Sequence, residues 1–498
     1  MSDRDALWPL HFLKKRGRMK ELALLAIDAA KTRGATYADI RMIETRVENI
    51  ATKNGKVGSY EAVEDTGFGV RVIASGAWGF ASSDEPSKES VQQTARAAVE
   101  TALASARLKE EELVLAPESS HVATWNTLCE IDPFAVPLSQ KLAHLFLVDE
   151  TLRKGKGLTI AECSMGFVRE KQLFASTEGS LIEQEFVHSG VGMTATAVGG
   201  GDVQRRSFPS SEGHFASGGY EIIERGRLLD NAERIADEAV ALLSADVCPS
   251  GKKDIILDGS QLCLQIHESI GHPSELDRVL GTEANYAGTS YLSLDKLGQL
   301  RLGSKFVTIV ADSTLPGGLA TVGFDDEGVP AQKWELVKDG LFVGYLTSRE
   351  FARVCGDQRS RGCMRADGWN RIPLVRMTNI SLAPGTWTLN DLVADTADGI
   401  LMETNKSWSI DQMRYNFQFS TEIAWEIKNG KKGRMLKNPN YQGISTEFWN
   451  SCDAVCDKAH WWPWGIINCG KGQPGQVARM SHGSAPARFR GVNVGVAR

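Results

Sequence analysis

Residues 267–272 read His267-Glu268-Ser269-Ile270-Gly271-His272, directly after an apolar run. A metal-dependent hydrolase uses a divalent metal to acidify a water and a carboxylate to take its proton. Imidazole can hold the metal, and glutamate can serve as the carboxylate. The familiar zinc-protease motif H-E-x-x-H has its second histidine at i+4, on the same helical face as the first. Here it stands at i+5, about 140° further around an ideal helix, so a regular helix would not aim both rings at one metal.

The backbone around this motif must therefore be irregular. Either the helix widens locally into a π-helical turn, or it ends at Gly271 and His272 lies on the following turn. Pro273 disfavours helical geometry at the histidine before it. The motif predicts metal chemistry at an irregular helix end.

A catalytic site of this kind needs at least one more metal ligand than two histidines. The best candidate is Cys469, because Gly470 and Gly472 favour a tight loop that would present its thiolate to the metal. A set of His267, His272 and Cys469 would leave the fourth tetrahedral position for water. These ligands suit Zn2+ and also tolerate Fe2+.

Three other arrangements remain open. Cys452, Cys456 and His460 are spaced four apart and could build a structural zinc site, although a helix with one core face and one solvated face is favoured. The thiol assigned above to the metal could instead be a nucleophile activated by His482. The acidic residues 325–327 could bind calcium or a substrate amine, or form a turn held by backbone hydrogen bonds.

At 498 residues the chain is long for a single core, so two domains are expected. The turn-rich segment 249–253 separates a finished helix from a new strand. We predict an α+β fold with a tail at 1–20, an N-terminal α/β domain at 21–248, and a β-rich C-terminal domain at 249–498 that carries the metal-binding helix.

Hydrophobic periodicity predicts the individual elements. Helices are expected at 19–33, 86–108, 140–154 and 231–245. Strands are expected at 37–51, 67–74, 77–81, 254–258, 306–312, 334–337, 341–346, 374–382, 399–404 and 417–428, with further short strands between 158 and 225. Asn54-Gly55 predicts a tight hairpin turn, and the segment 109–137 reads as a surface excursion.

Charge and cysteine usage limit the class of protein. A net charge of -6 argues against a nucleic-acid-binding protein, which would carry a basic excess. The basic cluster at 14–20 is interpreted as part of a solvated tail. No apolar run approaches the roughly 18 residues of a membrane span, and no signal peptide is recognised. Nine scattered cysteines indicate reduced thiols and a cytoplasmic location.

Several blocks of the chain, in this order, resemble the TldD/PmbA family of metalloproteases. They are Gly69-Val70-Arg71-Val72, Trp78-Gly79-Phe80-Ala81, the H-E-x-x-x-H motif, Phe324-Asp325-Asp326-Glu327-Gly328, Arg376-Met377-Thr378-Asn379, Cys469-Gly470-Lys471-Gly472-Gln473-Pro474, Ser481-His482-Gly483 and Ala487-Arg488-Phe489-Arg490. The resemblance covers nearly the whole chain after the first twenty residues.

The resemblance implies a zinc-dependent peptidase whose metal is held by His267, His272 and Cys469, with Glu268 as the catalytic carboxylate. It also implies an N-terminal α/β domain and a β-rich C-terminal domain. Members of the family pair as dimers that enclose the site, either with themselves or with a related subunit that lacks the histidine motif. Their substrates are unfolded or modified peptides.

The leading hypothesis is a cytoplasmic zinc peptidase that acts on unfolded, short or modified peptides through metal-activated water, with Glu268 as general base. The alternative is a non-catalytic, peptide-binding subunit in which the metal is structural. The intact Glu268 argues against this alternative, because a structural site needs no base. No nucleic acid or membrane is expected among the partners.

Overall fold

A computed structural model describes residues 8–109 and 111–496, with side chains from Gly17 onward. The helices are α1 (Trp8–Thr32), α2 (Lys88–Ser105), α3 (Leu138–Arg153), α4 (Glu221–Arg225), α5 (Leu228–Leu242), α6 (Gly259–Ile266), α7 (Leu276–Val279), α8 (Ala284–Ala287), α9 (Leu389–Ala394) and α10 (Ser445–Asn450). A π-helical segment (His267–Gly271) follows α6, and short 3-10 turns lie at His272–Ser274, Leu294–Lys296, Ala352–Cys355 and Lys458–His460.

The strands of the N-terminal half are β1 (Tyr37–Lys53), β2 (Lys56–Ala74), β3 (Ala77–Ser83), β4 (Val122–Asn126), β5 (Leu158–Ser176), β6 (Leu181–Gly199), β7 (Asp202–Phe208), β8 (His214–Ser217) and β9 (Asp246–Val247). Those that follow are β10 (Gly251–Leu257), β11 (Ile309–Asp312), β12 (Lys333–Lys338), β13 (Leu341–Phe342), β14 (Met364–Arg365), β15 (Leu374–Val375), β16 (Asn379–Leu382), β17 (Asp398–Ile410), β18 (Asn416–Lys428), β19 (Lys431–Lys437), β20 (Pro439–Ile444), β21 (Cys452–Val455), β22 (Trp462–Lys471), β23 (Gln476–Ser484) and β24 (Ala487–Val496).

The N-terminal half is built on one eight-stranded sheet in the order β3-β2-β1-β5-β6-β4, with β7 and β8 also paired to β6. In β1, Ile40, Met42 and Ile50 alternate with Asp39 and Arg41, because successive side chains of a strand point to opposite faces. The helices α1 and α2 pack on the apolar face at one end of the long strands, and α3 and α5 pack on it at the other end. The opposite, more polar face is left for the C-terminal half.

The C-terminal half contains a second eight-stranded sheet, ordered β17-β10-β24-β20-β18-β19-β9, with β21 paired to β24. An additional pairing between β17 and β18 closes β17, β10, β24, β20 and β18 into a ring. The helix α6 follows β10 directly. Asp258, between them, caps the helix by accepting the N–H groups of Ser260 and Gln261 at 3.2 and 3.0 Å. The α+β fold is confirmed, including the helix embedded in a β-rich half.

Two arginines of the N-terminal sheet bind the acidic turn 325–327 of the C-terminal half. Arg41 lies 3.2 Å from Asp326 and Arg71 lies 3.2 Å from Glu327, and all four side chains are largely buried. Asp325 accepts the backbone N–H groups of residues 327 and 329 at 2.9 and 3.0 Å. The interpretation as a hydrogen-bonded turn is therefore confirmed, and its carboxylates join the two halves through buried ion pairs.

The structure differs from the predicted elements in several places. α1 begins at Trp8, so the predicted tail is helical from that residue on, in keeping with the helix propensity of Lys, Arg and Met; residues 1–7 lie outside the described part. The surface excursion contains β4, and α2 is capped by Ser87, whose side chain accepts the N–H of Ser90. Instead of short strands, residues 158–199 form two of 19 residues each.

The predicted domain boundary after residue 248 falls between β9 and β10, while β9 pairs with β19 of the C-terminal sheet. The division itself stays a prediction. Within the described residues, no helix is both long enough and apolar enough to cross a membrane.

Candidate metal centre

The late histidine is brought into place by a π-helical turn. After α6, the N–H of His272 donates to the carbonyl of His267, five residues earlier, which widens the helix by one residue. The two imidazole rings then lie with their centroids 4.8 Å apart. Of the two backbone solutions that the sequence left open, the widened helix is observed. His272 keeps helical φ and ψ despite the following proline, and a 3-10 turn continues from it.

The widened turn leaves backbone carbonyls that ordinary helical bonds would satisfy. The carbonyl of Ser269 would need the N–H of residue 273, which is proline and has none. It accepts the Tyr291 hydroxyl instead, at 2.8 Å. The Ser274 hydroxyl donates to the carbonyl of Ile270 at 2.6 Å. Side chains therefore stabilise the irregular backbone that the motif requires.

Gly271 has a different role from the predicted helix cap. Its φ of −59° and ψ of −68° are right-handed, so no left-handed conformation calls for glycine here. A Cβ at this position would lie 2.2 Å from Met377 Sδ. Glycine is needed because Met377 packs directly against the π-helical turn.

Cys469 completes a group of three ligand atoms. Its Sγ lies 3.5 Å from His272 Nε2, and the ligand atoms of His267, His272 and Cys469 all lie within 4.8 Å of one another. Each residue is at most 4% exposed. The predicted glycine loop is in fact strand β22, where Cys469 pairs with Ala478 of β23. The strand still points the thiol at the histidines.

The tautomer of His267 is set by its hydrogen bond with His482. His482 Nδ1 lies 2.9 Å from the carbonyl of Ile380, so it carries the proton and its Nε2 is an acceptor. His267 Nδ1 lies 2.7 Å from that Nε2 and must therefore be the donor. This leaves the lone pair of His267 Nε2 available to a metal.

The tautomer of His272 is set by its hydrogen bond with the Glu275 carboxylate. Its Nδ1 lies 2.9 Å from Glu275, which leaves Nε2 unprotonated on the side of Cys469. Lys471, two residues after Cys469 on the same face of β22, lies 3.4 Å from Glu275 and 2.6 Å from Asp277. Lys471 and Glu275 are fully buried, so the lysine compensates carboxylates that would otherwise be costly to bury.

The protonation of the three residues fits metal binding. Burial holds the pKa of His267 and of His272 well below the ordinary imidazole value, and neighbouring positive charges lower both further. Both rings are therefore neutral, the state in which imidazole binds a metal. Burial raises the pKa of the Cys469 thiol to about 11, against the opposing effect of Arg376. A metal that binds the thiolate would release its proton.

Glu268 follows His267 directly in the chain, and its carboxylate interacts with Arg414 and Trp408. Arg414 Nη1 donates to Glu268 Oε2. Burial raises the pKa of Glu268, whereas Arg414 and the Trp408 side chain lower it. Arg414 stands at the tip of the hairpin between β17 and β18 with a φ of 64°, a left-handed conformation that is uncommon for residues other than glycine. The hairpin is thus shaped to bring a cation to this carboxylate.

Two residues of one sequence block, Arg376 and Asn379, hydrogen-bond the β22–β23 hairpin. The Arg376 guanidinium donates to the carbonyls of Cys469 and Gln476. The Asn379 amide oxygen accepts the N–H of Ser481 at 3.1 Å, next to His482. These bonds help to set the positions of the Cys469 thiol and of the His482 ring.

The other arrangements considered from the sequence do not assemble. Cys452 packs in the same core cluster as α6, Cys456 packs in a different one, and His460 hydrogen-bonds Asp457 at 2.8 Å. The segment is strand β21 and a 3-10 turn, so the helical spacing of four does not apply. His482 has both ring nitrogens engaged, with His267 and with a backbone carbonyl, and is not the base of a cysteine nucleophile.

Sequence reasoning missed several residues of the site. Glu275 could have been noticed, because it stands three residues after His272 and can reach its ring. Lys471 and His482 lie in blocks that carried the family resemblance, but their roles depend on contacts across the fold. No motif or spacing in the sequence pointed to Arg414.

Over most of its length, the chain is similar to known metallopeptidases. Residues 250–496 match the PmbA/TldA metallopeptidase C-terminal domain, residues 38–102 match domain 1, and residues 131–245 match the central domain. A metalloprotease of Methanocaldococcus jannaschii is 31% identical over 84% of this chain and 89% of its own. A zinc metalloprotease TldD homolog of Saccharolobus solfataricus is 22% identical over 94% of this chain and 98% of its own.

A solved structure has the same fold. TldE from Thermococcus kodakarensis superposes with a TM-score of 0.71 at 17% identity, over 96% of this chain and 99% of that one. The chain belongs to the PmbA/TldD family of metallopeptidases. The resemblance inferred from the sequence blocks is thereby confirmed.

Proposed function

We propose that this protein is a zinc-dependent peptidase that hydrolyses peptide bonds in unfolded, short or modified peptides. His267, His272 and Cys469 would hold the metal, and Glu268 would act as general base. The observation that carries the proposal is the convergence of three buried ligand atoms within 4.8 Å, beside a glutamate that is not needed to hold them.

The donor set fits zinc in number and kind. Two neutral imidazoles with free Nε2 atoms and one thiol make three ligands and leave a fourth tetrahedral position for water, as catalytic zinc sites do. Zinc appears in the name of one relative. The same ligands accept Fe2+, so metal analysis of the purified protein decides between the two.

The residues around the ligands suggest the course of hydrolysis. Bound zinc would supply the positive charge that lowers the pKa of a water to about 7 and polarises the peptide carbonyl. Glu268 accepts the proton of the attacking water on its carboxylate and then delivers it to the leaving nitrogen. Burial raises the pKa of Glu268, which favours its use as a base, and the Arg414 guanidinium opposes this rise.

The same features support our proposals for substrate form, assembly and location. The ligands are at most 4% exposed, and an enclosed site of this kind favours unstructured peptides over folded proteins. We propose a dimer, either of two copies or with a related subunit, and the structural similarity to TldE supports such a partner. The nine unpaired cysteines support a cytoplasmic location, because reducing compartments keep thiols free.

The test combines metal analysis with hydrolysis of an unstructured peptide. We expect the wild type to bind one zinc and cleave the peptide, Glu268→Ala to keep zinc without activity, and Cys469→Ala to bind zinc more weakly. Cys163→Ala, a change of a buried cysteine in the core of the N-terminal half, serves as the matched control. Full activity in a zinc-loaded Glu268→Ala protein would contradict the mechanism, and unchanged zinc affinity in Cys469→Ala would remove the third ligand.

A further inference from the structure

A cavity of about 70 Å³ adjoins the metal centre on the side of Cys469. One wall is α6, which contributes Ser260, Cys263 and Leu264. These residues lie on the helix face that reaches His267 one turn later, because positions three and four apart are neighbours on a helix. The cavity therefore leads along α6 to the proposed ligands.

The N-terminal half places one carboxylate in this cavity. Glu212, from the loop between β7 and β8, lines it together with Asn468 and Cys469 of β22. Its carboxylate accepts the N–H of Ile467 at 3.4 Å and a bond from the Asn468 side chain. Among the residues that the structure describes, Glu212 forms no ion pair with a lysine, arginine or histidine. A largely enclosed carboxylate without a counter-ion is costly unless a ligand supplies one.

An aromatic side chain faces the same space. Trp408 lines the cavity and is 48% exposed. It also interacts with Glu268, the proposed base. Carboxylates and indole faces both attract cations. The cavity thus combines two cation-binding groups, and one of them also contacts the catalytic carboxylate.

We propose that this cavity is a substrate subsite that binds a cationic nitrogen of the peptide, with Glu212 as its counter-ion. The cation is the side chain of a lysine or arginine next to the cleaved bond, or the peptide's own α-amino group. The volume has room for several water-sized groups. This inference rests on the proposed function, because it gives the substrate class of the same site.

Hydrolysis of matched peptides tests the proposal. Acetylated and amidated peptides would differ only in one residue, either lysine, arginine, norleucine or glutamate. We expect kcat/KM to favour the lysine and arginine peptides by roughly 10- to 100-fold over norleucine, the size of a charge-assisted hydrogen bond. Glu212→Gln should remove this preference and Glu212→Lys should turn it towards glutamate. Glu233→Gln, an exposed change on α5, should retain it.

A binding measurement separates this proposal from the proposed function. Fluorescence anisotropy of labelled peptides on zinc-loaded Glu268→Gln protein needs no hydrolysis. A lysine peptide should bind roughly 10- to 100-fold more tightly than its norleucine counterpart, and the double variant with Glu212→Gln should bind both alike. A lysine-free peptide with a free α-amino group tells the two sources of the cation apart.

The possible results distinguish failure of the subsite proposal from failure of the peptidase proposal. Charge-dependent binding that requires Glu212 supports the subsite even if no peptide is cleaved, in which case only the peptidase proposal fails. Equal binding of all cationic and neutral peptides, or a lysine preference that survives Glu212→Gln, overturns the subsite while leaving the peptidase proposal intact.

Discussion

The proposed metal centre has two sides with a glutamate on each, and they differ in what surrounds the carboxylate. On the supporting side (Glu275, Asp277, Lys471), the carboxylate of Glu275 binds His272 and a fully buried lysine. On the reactive side (Glu268, Arg414, Trp408), the carboxylate meets an arginine at a hairpin tip and a tryptophan that is 48% exposed.

The difference separates two uses of the same side chain. A carboxylate enclosed by a histidine and a lysine has no route to solvent and can only orient and polarise the ligand that it touches. A carboxylate whose partners lie at the edge of a cleft can exchange a proton with water and substrate. Glu268 and Glu275 stand only seven positions apart in the chain, and the surrounding elements give them the different environments on which the two proposed roles rest.

The largest expected effect is loss of the reactive carboxylate. Glu268→Gln keeps the shape of the side chain but cannot take a proton, so kcat should fall by roughly 10²- to 10⁴-fold. Zinc content should stay at the wild-type value, because Glu268 is not a ligand in the proposed site. Steady-state kinetics and metal analysis on the same preparation check both. A Glu268→Gln protein that loses its zinc would contradict the assignment of Glu268 to the reaction instead of to metal binding.

Glu275→Gln should act on the metal instead of the reaction step. The amide oxygen can still accept the His272 N–H, but the charge that polarises the ring and balances Lys471 is gone. We expect zinc affinity to fall by roughly 10- to 100-fold, measured by competition with a chelator. If affinity is unchanged while kcat collapses, the supporting role assigned to Glu275 is wrong.

Arg414→Met should weaken the reactive side without touching the supporting one. Without the guanidinium, burial disfavours the ionised form of Glu268, and kcat should fall by about tenfold. Chelator competition should give wild-type zinc affinity. Arg414→Lys provides the matched variant, because it retains the charge and should recover part of the rate.

The smallest effect is expected outside both sides. His460→Ala removes the histidine of the alternative cysteine cluster, which the fold does not assemble. Zinc stoichiometry and kcat should both remain at wild-type values. A drop in zinc content would mean that the chain holds a second metal through these residues.

Local rules predicted much of the site. The i+5 spacing and Pro273 required an irregular helix end, and a π-helical turn is found there. The chemistry of the residue types selected Cys469, which lies beside His272. The glycines around this cysteine nevertheless indicated a loop, because nothing nearby in the sequence revealed that residues 476–484 pair with it as a strand.

The remaining features depend on contacts between distant parts of the chain. His267 and His482 stand 215 positions apart, and Arg414 reaches Glu268 across 146 positions. No spacing rule covers such separations, since the partner of a buried polar group depends on which elements the core brings together.

The sequence by itself determined the α+β class, the family, the three candidate ligands and the candidate base, because residue chemistry and short-range periodicity carry that information. The packing of β22–β23 against α6 decided which nitrogen of each histidine is free and which glutamate contacts a candidate ligand. It also placed Glu212, from the other half of the molecule, in the cavity beside the ligands. Hydrogen-bond partners and burial set these properties, and both arise only when distant segments pack together.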